Sequence, residues 1–243
     1  MVLPYKNSKQ PKKGQVEEMF DSISPKYDLL NHLLSVNIDK IWRKKAILKL
    51  KPFTPKKLLD IATGTGDFAI QAGKRLTSTQ ITGIDISEGM LNIARKKLQK
   101  KGLEKQIEVL KADSENLPFD KNCFDAAIVG FGVRNFENLE KGLAEIHRVL
   151  KPGAVLFVLE FSKPEKTPFK QIYYFYFRHI LPLVGRMVSK DKSAYTYLPE
   201  SVKEFPAGND FLNILADAGF VKNKCFRQTF GIASIYEAHA VAD

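Results

Sequence analysis

The chain has 243 residues, 44% hydrophobic and 27% charged, a balance that argues against extensive disorder and suits one α/β domain with an added segment better than two full domains. Lysine and arginine number 38 against 27 aspartates and glutamates, a net charge of +11, which favours anionic partners but does not bear on the fold. Two cysteines, Cys123 and Cys225, stand far apart and outside any CxxC or Cys/His cluster, arguing against a disulfide framework or a zinc site.

Residues 1–15 read as a flexible basic tail carrying Lys6, Lys9, Lys12 and Lys13; it resembles neither a secretory signal nor a membrane anchor. No run along the chain approaches the ~20 apolar residues that span a bilayer. The expected location is therefore the reducing cytoplasm. From Val16, helical spacing places Val16, Met19, Phe20 and Ile23 on one face until Ser24-Pro25 interrupts it. The pattern resumes through Asp28 to Leu34 and again from Asp39 to Leu50, where Lys51-Pro52 stops it; residues 16–52 thus form an N-terminal helical segment.

A different texture follows. Short apolar runs at Lys57–Ala62, Ile81–Ile86, Ile107–Ala112, Phe124–Phe131 and Ala154–Phe161 alternate with helical stretches at Asp67–Leu76, around Met90–Leu98 and at Leu139–Leu150. Two closing strands are predicted at Lys224–Thr229 and Ile232–Ala240, after a helix over Asn209–Ala218. Strands alternating with helices predict a doubly wound, mostly parallel α/β sheet of seven strands, and runs apolar throughout imply a sheet covered on both faces. Between Pro164 and Pro206 the alternation breaks down. This aromatic and basic stretch, with Tyr173–Phe177 at its heart, reads as an insertion (164–206) on a single domain spanning 16–243.

The first strand ends in Asp60-Ile61-Ala62-Thr63-Gly64-Thr65-Gly66-Asp67. Glycines at a strand-to-helix turn let backbone approach a ligand without a Cβ in the way. The third glycine of a GxGxxG is absent, because Ala69 follows Phe68, and no GKS or GKT completes a P-loop. Asp85 ends the second strand about 20 residues after Gly64, where a carboxylate can accept from both ribose hydroxyls. Asp113-Ser114 ends the third, where a carboxylate can accept from an adenine amine while Leu117 covers the ring. The plainer reading of the three acids is that they cap helices and turns. Together they outline an adenosine site, and Asp60 favours a cationic methyl donor over NAD, whose pyrophosphate it would repel.

These residues, with Arg148-Val149-Leu150-Lys151-Pro152-Gly153 before the fifth strand, resemble class I methyltransferases. More narrowly, Tyr27–Ser35 closing at Trp42, Phe131-Gly132-Val133-Arg134-Asn135, and Arg148 through Glu160-Phe161-Ser162 resemble the ubiquinone/menaquinone biosynthesis C-methyltransferases of the demethylmenaquinone methyltransferase type. Asp39 stands where that family usually has histidine, and Ala154 where it usually has a second glycine.

The resemblance implies S-adenosylmethionine as donor, no metal, a Rossmann-like fold, and a polyprenyl quinol as substrate: demethylmenaquinol, with a 2-polyprenyl-6-methoxy-1,4-benzoquinol as the alternative. Asp60, Gly64, Thr65, Gly66, Asp85, Asp113 and Ser114 are the expected donor-binding residues. An electrophilic quinone would not attack a sulfonium, so the substrate is the reduced quinol. Arg134 is too basic to act as an ordinary base. With Asn135 it is expected to stabilise the developing phenolate, unless it is a surface ion-pair partner. Asp28 is the candidate proton acceptor, the alternative for it and Tyr27 being helix capping and packing. Glu160 borders the pocket or anchors a loop. His32, His147, His179 and His239 show no metal spacing.

The insertion is expected to cover the substrate. Tyr173–Phe177 would meet the polyprenyl tail, and nearby lysines the headgroups at the inner face of the membrane; the duller reading is a buried helix turn or a homodimer contact. Nucleic acid is not an expected partner: the fourth strand lacks an Asp/Asn-Pro-Pro-aromatic sequence and neither cysteine follows a proline. A rival from another class is a non-catalytic donor-binding scaffold of a quinone-biosynthesis complex.

Overall fold

The computed structural model describes residues 2–28, 35, 37–175 and 193–241. Its centre is one seven-stranded sheet in the order β3-β2-β1-β4-β5-β7-β6. The strands are β1 Lys57–Ile61, β2 Gln80–Asp85, β3 Ile107–Lys111, β4 Phe124–Gly130, β5 Leu150–Phe161, β6 Phe220–Gln228 and β7 Ala233–Ala240. β1 to β5 pair in parallel, and β7 enters antiparallel between β5 and β6. The predicted doubly wound sheet is thus found, with its topological switch between β1 and β4, where such sheets bind ligands.

Alternation along each strand feeds two cores. Leu59, Ile61, Leu156 and Val158 face one layer, which includes Leu143 and Ile146 of α5 (Leu139–Val149) and Phe211 and Leu215 of α8 (Asn209–Asp217). Leu58, Val155, Phe157 and Leu159 face the other, against Trp42, Ala46, Ile47 and Leu50 of α2 (Ile38–Leu50) and Ala69 and Ala72 of α3 (Asp67–Gly73). Both faces are buried, which is why the strands read as continuous apolar runs. α4 (Glu88–Lys101) starts where Ser87 Oγ accepts the Met90 amide and stops at Gly102 in the left-handed region.

Three boundaries differ from expectation. The first helix, α1 (Lys12–Ile23), begins inside the supposed tail, with Lys12 and Gln15 buried. Lysine richness masked the apolar spacing, because Lys12 buries its stem while its ammonium finds carbonyls. β5 starts at Leu150, which pairs with Phe124 before the register shifts ahead of Ala126. β6 starts at Phe220 and carries an irregularity between Val221 and Lys224.

Within the stretch expected to be an insertion lie α6 (Phe169–Phe175) and α7 (Ser193–Glu204). Tyr173 is buried and Phe175 exposed, whereas Tyr176 and Phe177 lie outside the described residues, as do residues 29–34 of the helix expected over Asp28 to Leu34.

Candidate active site

The turn after β1 shapes the floor of a cleft. Gly64 (φ +56°) and Gly66 (φ +79°) adopt the left-handed region that glycine enters without strain. A Cβ on Gly64 would meet no atom within 4 Å, so this backbone faces open space. Asp60 underpins the turn: its Oδ2 accepts from Thr63 Oγ1 at 2.6 Å and from the Ala69 amide at 3.0 Å. Full burial pushes its carboxyl up to about 7, against the opposing pull of those two bonds. Its Oδ1 is buried without a hydrogen-bond partner among the described residues.

Asp85 ties the second strand end to the first. Its Oδ2 accepts from the Gly64 amide at 2.8 Å and its Oδ1 from the Ser87 amide at 2.9 Å, while burial raises the group to about 6. Asp113 Oδ1 accepts from the Glu115 amide at 2.9 Å. Gly64, Asp85, Asp113, Ser114 and Asn135 all line one cleft, whose empty space is about 670 Å³ including its open mouth. The capping reading of Asp85 and Asp113 holds in part, since each satisfies backbone amides, yet both also face the cleft.

Other expected residues stand differently. Thr65 and Gly66 build the loop behind the cleft wall; Thr65 Oγ1 donates to Asp28 Oδ1 at 2.5 Å. Asp28 Oδ2 accepts from Lys97 Nζ at 2.8 Å, so both oxygens of the expected proton acceptor are engaged in holding this loop. Leu117, expected over the adenine ring, belongs to the apolar core instead. Asp39, at the position of the family's histidine, pairs with Arg43 and accepts from Ser35 Oγ at 2.6 Å. His32, His179 and most of the Tyr27–Ser35 signature lie outside the described residues.

Arg134 and Asn135 sit on the short helical turn Val133–Asn135 after β4. Asn135 faces the cleft, its Oδ1 accepting from Tyr197 Oη at 3.2 Å and its Nδ2 donating to the Phe131 carbonyl at 3.4 Å. Arg134 is turned away from it. Its side chain is 7% exposed and Nη1 lies 2.9 Å from Glu160 Oε1, itself 0% exposed. The same nitrogen donates to the Phe131 carbonyl. Arg134 is therefore an ion-pair partner, buried rather than superficial, and Glu160 is its counter-charge. Burial raises the Glu160 carboxyl and Arg134 opposes that rise.

Sequence reasoning missed the contribution of α1. Lys13, Val16 and Phe20 line the cleft, with Lys13 Nζ 2.6 Å from Asp113 Oδ2. Lys12 Nζ donates to the carbonyls of Phe136 at 2.6 Å and Arg134 at 3.2 Å, bracketing Asn135, and desolvation lowers its pKa to about 8. The signal was available: Lys12, Gln15, Val16, Met19 and Ile23 continue one helical stripe directly after Pro11.

The chemistry of the cleft fits the expected donor. An open glycine wall can pass a bulky sulfonium, and Asp85 and Asp113 suit ribose hydroxyls and an adenine amine, whereas Asp60 is fully buried beneath the turn and is not among the residues that line the cleft. Comparison with known proteins agrees. The profile of the ubiE/COQ5 methyltransferase family matches residues 6–240. Demethylmenaquinone methyltransferase of Bacteroides fragilis is 48% identical over 98% of this chain and 96% of its own length. Its counterpart in Thermus thermophilus is 45% identical over 90% and 98%. A ubiquinone/menaquinone biosynthesis C-methyltransferase of Geotalea daltonii is 42% identical over 94% and 97%. Among solved structures, a SAM-dependent methyltransferase of Thermotoga maritima superposes with a TM-score of 0.66 at 20% identity, covering 92% of this chain and 98% of that one, a likeness of fold. The chain belongs to the ubiE/COQ5 methyltransferase family.

Proposed function

We propose that this methyltransferase transfers a methyl group from S-adenosylmethionine to a ring carbon of demethylmenaquinol, giving menaquinol. The observation that carries the reading is the convergence of Asp85, Asp113-Ser114 and Asn135, from three strand ends, on one cleft beside the Gly64 turn. The names of its relatives from Bacteroides fragilis and Thermus thermophilus support this substrate, and that of the Geotalea daltonii relative makes the benzoquinol the second arm of any assay.

The donor supplies an electrophilic methyl on a sulfonium. Asp85 would accept from the ribose hydroxyls and Asp113 from the adenine amine, with Lys13 closing over the latter. Asp60, once ionised, would attract the donor's ammonium from beneath the Gly64 turn. Asn135 Nδ2 would donate to a quinol oxygen, favouring the phenolate that makes the adjacent carbon nucleophilic. Arg134 adds a buried positive charge behind Asn135 rather than a direct contact. Alignment of two bound reactants alone can supply roughly 7–11 kcal/mol, so no strong base is required.

The same reading places the chain in the cytoplasm and brings it to the membrane surface to collect a substrate with a polyprenyl tail. None of the described helices is long and apolar enough to cross a membrane. Incubating purified protein with labelled donor and each reduced quinol tests the function. A product heavier by one methyl from the naphthoquinol, and none from its oxidised form, is expected. Turnover of neither quinol would overturn it.

A further inference from the structure

The turn joining β6 to β7 is built on two residues in an unfavourable backbone region. Thr229 (φ 43°) and Phe230 (φ 57°) both occupy the left-handed region, where a bulky side chain is seldom found. The strain presents Phe230 to solvent at 66% exposure. Its ring stacks on Phe169 at 3.6 Å between centroids, nearly parallel, joining the turn to the start of α6. Phe175, at the other end of α6, is 60% exposed.

This pair lies on the cleft edge of the sheet. β6 runs parallel to β5, so its end, like that of β5, is on the side where the strands β1 to β5 open into the cleft. Trp42 Nε1 donates to Thr229 Oγ1, and Trp42 packs on Phe161 and on Phe131 of the cleft wall. Exposed lysines adjoin the aromatic pair along the chain and on α2. Lys45 reaches Gln228 at 3.1 Å, and Lys166 and Lys170 flank Phe169 in sequence. The nearby carboxylate, Glu165, is neutralised by Arg227 at 2.6 and 2.8 Å.

We infer that Phe230 and Phe169, collared by Lys45, Lys166 and Lys170, dock this chain on the surface of an anionic phospholipid bilayer. An aromatic tip with a basic collar matches the boundary between acyl chains and negative headgroups. A protein partner would not need the combination to sit at the edge where a lipid substrate must enter. The inference rests on the proposed quinol substrate for its purpose but not for its test.

The experiment is vesicle flotation of the full chain with phosphatidylcholine alone and with an equimolar phosphatidylglycerol mixture, at low and high salt. Wild type floats with the anionic vesicles at low salt only. Phe230→Ser lowers the partition coefficient about tenfold, and neutralising the three lysines to glutamine lowers it by about fivefold for each. Both variants keep wild-type turnover of a short-chain, water-soluble quinol, which shows that they fold and separates docking from chemistry. Failure of wild type to turn over that quinol would sink the proposed function and leave the flotation result standing. Wild type that ignores anionic vesicles, or variants that float like wild type, would overturn the docking surface. Dissociation of a dimer by Phe230→Ser in sedimentation, with lipid binding unchanged, would also overturn it, by making the tip an interface between copies.

Discussion

Replacing Glu160 with glutamine keeps the shape of the side chain and removes its charge, leaving the Arg134 guanidinium buried without a counter-charge. The two groups are 2.9 Å apart with side-chain exposures of 0% and 7%, so solvent cannot take over the role of either. Breaking a buried pair from one side costs about 3–5 kcal/mol, and the retained amide acceptor argues for the lower end, about 3 kcal/mol. In a domain of this size that corresponds to a fall of about 6–12 °C in Tm. Arg134 also shares the Phe131 carbonyl with Asn135, so turnover should drop as well. The assay is urea unfolding with kcat measured on the same samples. In the double variant Glu160→Gln with Arg134→Met, more than half of the lost stability should return, since no buried charge remains, while activity stays low. A loss under about 1 kcal/mol in the single variant, or a double variant no more stable than the single, would refute the reasoning.

Further outcomes follow from the same geometry. Burial raises Asp60 to about 7 and Asp85 to about 6, so the folded chain holds protons that the unfolded chain releases. The stability this contributes is full below the ordinary carboxylate range and is lost as pH rises through about 6 to 7; Asp60→Asn should flatten that fall in urea titrations. Donor affinity should strengthen over the same window, because an ammonium needs the ionised carboxylate, and calorimetry on either side of it checks the sign. Gly64→Ala forces φ +56° on a residue with a Cβ and projects a methyl into the cleft, costing about 1 kcal/mol in unfolding and at least about tenfold in donor affinity. Lys12→Met should lower kcat more than it raises the donor's KM, since Lys12 brackets Asn135 through the Arg134 and Phe136 carbonyls, and Lys12→Arg should restore part of the loss.

Much of the fold was legible because both cores leave their mark on the strands: Leu58 faces one layer and Leu59 the other, and an apolar run this short, ending in a glycine turn, reads as a strand rather than a buried helix. The glycine turn and the strand-end acids were legible too, since a strand's last residue falls where such sheets bind ligands. What escaped depends on which elements become neighbours. Arg134 meets Glu160 because β4 lies beside β5, and Asn135 meets Tyr197 from α7, a partner 62 residues away that no local spacing reveals. Asp28 read as a candidate proton acceptor or a helix cap, and its partners Thr65 and Lys97 come from two other elements that local spacing does not reveal. Lys13 was assigned to a tail because the lysines around it outweighed the helical stripe that starts at Lys12, and only the fold brings it to Asp113.

The most direct measurement is the calorimetric titration of purified chain with S-adenosylmethionine and its demethylated product, for wild type and Asp85→Ala. One molecule should bind per chain, and loss of the Asp85 carboxylate, with its hold on the Gly64 amide, should weaken binding by at least about tenfold. Absence of any heat with wild type, or an Asp85→Ala variant that binds as wild type does, would contradict the placement of the donor in this cleft.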